Sequence, residues 1–341
     1  MAKAASRSEL NRGPEEGVGA SYLKDKSLIS DKVKRLVFSF RPEEFIALLA
    51  FFPMAYLTLK AYFFFQAQGS VPKVFRGDVQ RLLVVIAVII ITYIISRFRT
   101  DTPFWKFWRD VLPFAYCLAI YTNLHDTVHF ANPHDIHYSL IAIDQWLFGV
   151  QPSVWAQRFI HPWLTEIFSF CYMMFFLYAP IVALVLLLQK RKQAFRETIV
   201  TVILCFYCGY LLYVIFPAAP PRLVLKHLFY VNFDGTLLAD VAEKVINVLP
   251  RESRCAFPSL HAAVTLLSLM FAWKYTRPTF WIMLPFGIGL ILATIYLRHH
   301  YVIDLLAGWA LAIPVYIFIP RFDRWWQRKM KNYSPINAIK F

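Results

Sequence analysis

Six stretches of this chain, residues 43–66, 79–97, 163–189, 197–216, 279–297 and 301–320, stay apolar for about twenty residues or more with few charges. At 1.5 Å per residue each can cross ~30 Å of hydrocarbon, where only a helix or a closed barrel satisfies its own backbone. Two further stretches, 111–130 and 258–275, are apolar but carry His or Ser at one end, 111–130 being the weakest of the eight. The expected fold is therefore an all-α integral membrane protein with about eight transmembrane helices. Composition agrees, since 58% of residues are hydrophobic and 17% charged, against roughly 45–50% and 25% in soluble domains.

The net charge is +15. A basic chain can bind nucleic acid, but here Lys and Arg lie between apolar spans rather than along one face, so their arrangement reads as topology. With a cytoplasmic N-terminus, segments 1–42, 97–110, 190–196, 274–278 and 321–341 hold 25 of the 36 Lys and Arg, and the outer segments hold ten. Both termini are then cytoplasmic. No apolar core follows Met1, so the first span is expected to be an uncleaved anchor. All nine histidines fall on the outer side, which the charge count did not force. Polar chemistry on that face is one reading of this; the tolerance of histidine for membrane interfaces is the other.

Five regions follow. Residues 1–42 form a polar cytoplasmic tail, disordered in its Ser-, Gly-, Glu- and Lys-rich first 30 residues. Residues 43–130 supply the N-terminal spans. Residues 131–162 are an outer loop in which Ile141, Ile143, Trp146 and Leu147 suit an interfacial helix. Residues 163–320 carry the remaining spans, and 321–341 form a basic cytoplasmic tail. A second outer segment, 217–257, opens with Pro217-Ala-Ala-Pro-Pro-Arg222, which ends the preceding helix, and holds a mixed stretch, 237–249, suited to a short helix. Cys205 and Cys208 have the spacing of a redox or zinc half-site, but with no second pair, inside a span, they read as packing.

Three short segments carry the chemistry, all at outer helix ends where ionisable groups need not cross the bilayer. His300 and Asp304 are four apart at a helix start and share a face. The carboxylate can accept the imidazole Nδ1–H and leave Nε2 free as nucleophile or base. Taken alone, an ordinary ion pair at a helix start, where Asp also suits the dipole, is the competing reading. In Pro258-Ser259-Leu-His261, backbone N–H groups at a helix start suit an anion, Ser259 offers a hydroxyl and His261 an acid. Capping chemistry explains the same residues. Arg222 is a cation suited to bidentate phosphate contact, or a snorkelling anchor. Together they meet the needs of phosphoryl transfer through a phosphohistidine.

Over roughly residues 160–320 these segments resemble the type 2 phosphatidic acid phosphatase superfamily. Phe216–Arg222, Phe257–His261 and His299–Asp304 with Leu305-Leu-Ala-Gly308 are more similar to its inositol phosphorylceramide synthase-type branch. The resemblance implies a six-helix lipid-phosphatase-type core, with residues 163–320 as the catalytic phosphatase-type region. It also implies a phosphohistidine at His300, Asp304 as orienter, His261 as acid/base, and Arg222 and Ser259 on the phosphate. Ile215 stands where the superfamily has lysine, Leu260 where it has glycine, and Ala293-Thr294 where it has Ser-Arg. Arg254 and Arg298 are the candidates to replace the two missing cations.

A separate cluster holds His125, Asp126, His129, His134, Asp135 and His137. His125, Asp126 and His129 suit a headgroup or acceptor pocket; a metal site and a solvated interface are the other readings. The phosphohistidine route needs neither metal nor cofactor. The expected partners are membrane lipids, a lipid phosphate donor and an alcohol or water acceptor, not nucleic acid; oligomeric state is not legible. The leading expectation is a transferase passing phosphate or a phospho-headgroup to an inositol- or ceramide-like alcohol, with the site facing the periplasm, exterior or lumen. A lipid or polyprenyl phosphate phosphatase is the second. A haloperoxidase fits poorly with eight spans, and a lipid-phosphate transporter would call for inverted repeats or a basic pore, neither of which is visible.

Overall fold

A computed structural model describes residues 31–69, 73–98, 102–233 and 254–333. The expectations for residues 1–30 and for a helix at 237–249 fall outside them. The described chain is helical, without strands: α1 Pro42–Ala67, α2 Lys73–Phe98, α3 Pro103–Ala131, α4 His137–Phe148, α5 Pro162–Met173, α6 Phe175–Leu188, α7 Lys192–Ile215, α8 Leu260–Tyr275, α9 Arg277–Tyr296 and α10 Val302–Tyr333. A helix stands at each of the eight expected spans. Four of them, α1, α7, α9 and α10, are long and apolar enough to cross a membrane, and α5 and α6, bent by 48° at Met174, make a fifth as a pair. The chain is an integral membrane protein.

The other three differ from these. In α2 the sequence stays apolar from Leu82 to Ile95, the apolar run of α3 is interrupted by Asn123, and α8 has only 16 residues. α8 needs no lipid-facing length, because α6, α7, α9 and α10 all pack around it. Its interior positions include Ala262, Ala263, Ser268 and Ala272, small residues that let neighbouring helices close in where lipid supplies no hydrophobic drive between them. Gly308 of α10 makes the tightest approach: a Cβ there would stand 2.3 Å from the Ser259 carbonyl oxygen. On the α7 side, a Cβ on Gly209 would meet Leu260 at 2.4 Å. Helices α1 to α3 form a layer of their own that reaches this core through α7.

α10 does not end near 320. It continues as a helix to Tyr333 because Asp323, Trp326, Gln327 and Met330 repeat at helical spacing and stay buried. Its far end joins a network of buried charges: Arg196 binds Glu43 at 2.5 and 2.7 Å and Asp323 at 2.8 Å, Arg109 binds Glu44 at 2.6 and 2.8 Å, and Arg41 binds Asp110 at 2.5 Å. The segments around residues 41, 109, 196 and 323, grouped on one side by charge counting, therefore meet at one end of the bundle.

Candidate active site

The opposite end gathers the three motif segments, each delivered by a helix terminus. Ser259 is the N-cap of α8, its Oγ accepting the Ala262 N–H at 3.3 Å, and its own N–H donates to the Asp304 carbonyl at 3.0 Å. The loop between α9 and α10 folds back on α9. The N–H groups of His299 and His300 both donate to the Thr294 carbonyl, at 2.8 and 3.1 Å, after Arg298 turns the chain at a φ of +64°. α10 then begins with Val302 and Ile303, whose N–H groups donate to the two carboxylate oxygens of Asp144, on α4, at 2.8 and 3.0 Å. A helix start is thus capped from 158 residues away, where local sequence supplies no cap.

Within this frame His300 Nδ1 lies 3.3 Å from Asp304 Oδ2, and the same oxygen accepts the Tyr301 N–H at 3.1 Å. His300 Nε2 lies 3.2 Å from His261 Nδ1. With the His300 Nδ1–H committed to the carboxylate, Nε2 keeps its lone pair and receives the His261 Nδ1–H. Asp304 is fully buried and His300 is 4% exposed. Burial pushes the His300 imidazole down to about 3; the Ala256 carbonyl opposes this and the nearby Arg222 guanidinium reinforces it. His299 is also held well below its usual value, first by burial and then by Arg222, His261 and His300.

The cations divide. Arg222 sits in the short turn Pro221–Val224, fixed by its N–H to the Arg298 carbonyl at 3.0 Å. Its Nε is buried with no hydrogen-bond partner among the described residues. Arg298 is turned elsewhere: its Nη2 donates to the Val231 carbonyl at 2.6 Å and its guanidinium lies over Phe229 and Phe233 at 4.1 and 4.5 Å. Arg254 lies 3.4 Å from Asp135, which also faces His137 at 3.7 Å. Of the three arginines, Arg222 is the one whose field reaches His300 and His299.

A sequence profile of the PAP2 superfamily matches residues 138–318, just over half of the chain. The chain belongs to the PAP2 superfamily. No curated protein and no solved structure matches it. PAP2 proteins are phosphatases and phosphotransferases, so lipid-phosphate chemistry of that general type follows from membership. The matched region runs from α4 almost through α10 and leaves α1 to α3 outside it. Thr294 turns its carbonyl to the two histidines, and Ile215 is 47% exposed.

Several neighbours of this candidate site were not singled out from sequence. Tyr172 stacks on both His261 and His299, with ring centres at 4.9 and 4.6 Å, and Phe175 lies 4.3 Å from His261. Both rings flank the bend at Met174, inside an apolar run that gives no polar signal. Asp144 did leave one: a carboxylate on the face shared by His137 and Leu140, buried while Trp146 on the other face is 82% exposed. Of the proposed headgroup pocket, the His125 and Asp126 side chains fall outside the described residues; His129 is exposed and stacks on Phe130 at 4.4 Å. Among the described residues no three His, Cys, Asp or Glu side chains are grouped to hold a metal.

Proposed function

We propose that this chain is a membrane phosphotransferase that moves phosphate or a phospho-headgroup from a lipid to an inositol- or ceramide-like alcohol through a phosphohistidine on His300. The observation that carries this reading is the continuous line Asp304–His300–His261, with distances of 3.3 and 3.2 Å. The His300 Nε2 lone pair attacks phosphorus, the bond from phosphorus to the leaving oxygen breaks, and His261, entering as the imidazolium, gives that oxygen a proton and becomes neutral. Asp304 holds the tautomer and balances the charge formed on the ring. Arg222 and the Ser259 hydroxyl hold the equatorial oxygens. In the second half the acceptor hydroxyl gives its proton to His261 and attacks phosphorus, and the nitrogen–phosphorus bond breaks.

At 3.2 Å the two rings leave no space between them, so this is the resting arrangement, and the entering phosphoryl group parts them. Burial of His300 favours a bound alcohol over bulk water as acceptor. The His299-His300 pair and Leu305-Leu-Ala-Gly308 support the inositol phosphorylceramide synthase-type branch in particular. Charge bias supports placing the site on the outer face, with both termini cytoplasmic. Purified protein incubated with a lipid phosphate or with an inositol-headgroup phospholipid, each labelled at phosphorus, with and without an alcohol acceptor, tests the reading. Transfer of the label to the alcohol is expected, as a new phosphomonoester from the first donor or a new phosphodiester from the second; release to water alone would assign a phosphatase.

A further inference from the structure

At the end of the bundle away from the histidines, α7 and α10 enclose a cavity of about 400 Å³. Its wall includes Arg196, Glu197 and Asp323, whose charges are already matched. Arg196 lies between Glu43 and Asp323, and Glu197 binds the Lys274 ammonium at 2.6 Å and the Tyr275 hydroxyl at 2.9 Å. Arg324, Arg328 and Lys331 also line the cavity. They are exposed, follow one another at helical spacing, and have no carboxylate partner among the described residues. Gln327 lines it too, 8% exposed, with its Oε1 buried and without a partner. The cavity is therefore cationic at its mouth and presents an unmatched polar atom within.

A second hollow lies beside it. Leu269 and Trp273 of α8, Phe280 and Trp281 of α9 and Tyr316 of α10 border an apolar groove of about 430 Å³. Tyr316 is one turn before Pro320, which borders the cationic cavity, and Lys274, bound to Glu197 of that cavity's wall, lies 5.8 Å from the Tyr316 ring. Height fits a lipid. α10 has 32 residues, about 48 Å, so a layer of ~30 Å beginning near Val302 ends near residue 322. The groove then lies at acyl-chain depth and the three cations at headgroup depth.

We propose that this pair of hollows binds one anionic phospholipid, its phosphate among Arg324, Arg328 and Lys331 and an acyl chain along Trp273, Trp281 and Tyr316. The site is separate from the histidine site and does not depend on the function proposed for it. An uncharged wall of glutamine and matched ion pairs leaves recognition to the phosphate, which distinguishes this lipid from a zwitterionic one by net charge.

The test uses the full chain in neutral detergent, with short-chain phosphatidylglycerol, phosphatidylcholine of equal chain length, and glycerol phosphate as probes. Native mass spectrometry and thermal stability report binding. One phosphatidylglycerol per chain is expected to bind and raise the melting temperature, with phosphatidylcholine and glycerol phosphate far weaker. Replacing the three cations together (Arg324→Gln, Arg328→Gln, Lys331→Gln) should weaken it about a hundredfold, as should filling the groove with Leu284→Trp, while His300→Ala binds as wild type. Equal binding of phosphatidylcholine, glycerol phosphate as tight as the lipid, or unchanged affinity in both variants would each overturn the proposal.

Discussion

In the mechanism proposed for it, His300 must be neutral when it attacks and cationic once it carries phosphorus, and its two ring nitrogens divide those tasks. Nε2 is kept free of a proton by burial, which pushes the imidazole to about 3, while Nδ1 faces a carboxylate able to stabilise the later charge. His300→Ala is expected to abolish turnover with the fold intact. Asp304→Asn, which presents an amide that can hold the wrong tautomer, should cost about 10³-fold or more in kcat; circular dichroism and melting temperature check that both variants fold. Arg222→Gln should raise KM and lower kcat, because the proposed mechanism has its guanidinium contact phosphate in ground and transition states alike. The same burial predicts an acid sensitivity of the fold. The unfolded chain binds a proton at His300 near pH 6.5 and the folded chain only near 3. Stability is thus fully present above about 6.5 and falls as pH is lowered towards 3, by up to about 1.4 kcal/mol per pH unit. The melting temperature of His300→Asn should fall less steeply than wild type between pH 7 and 5.

At the scale of elements, the start of α10 is the part to perturb. Asp144 lies on another helix and caps it through Val302 and Ile303. Asp144→Ala should destabilise by about 1–2 kcal/mol and lower kcat more than it changes KM, because it loosens the element that carries His300 and Asp304; Asp144→Asn, which keeps one acceptor oxygen, should be milder. Gly308→Ala forces α10 away from Ser259 and is expected to cost about 1–3 kcal/mol together with activity, read by melting temperature and turnover. The histidine–aspartate pair was legible in sequence because i, i+4 spacing is local. The Asp144 cap and the Tyr172 stack were not, because their partners, Val302 and Ile303 for the one and His261 and His299 for the other, are distant in sequence. Arg298 had the right charge and the right neighbours in sequence, yet its side chain was claimed by Phe229, Phe233 and the Val231 carbonyl.

For the whole molecule, the places of the long apolar helices were readable because the bilayer imposes a length that apolar runs must match. The grouping of residues 41, 109, 196 and 323 was readable from charge bias. The bend at Met174, the burial of the short α8 and the extension of α10 to Tyr333 were not, since each follows from packing between helices. Arg196 holds α7 to both α1 and α10. Arg196→Ala leaves two carboxylates buried without their cation and should cost about 3–5 kcal/mol, seen as a lowered melting temperature with the catalytic residues untouched. The central claim, covalent chemistry at His300, is tested most directly by trapping. The protein is mixed briefly with a lipid whose phosphate is labelled, quenched in alkali, where phosphohistidine survives, and digested for mass spectrometry. The label is predicted on the peptide containing His300 and absent from His300→Ala; a labelled residue elsewhere, or full turnover by His300→Ala, would contradict the account.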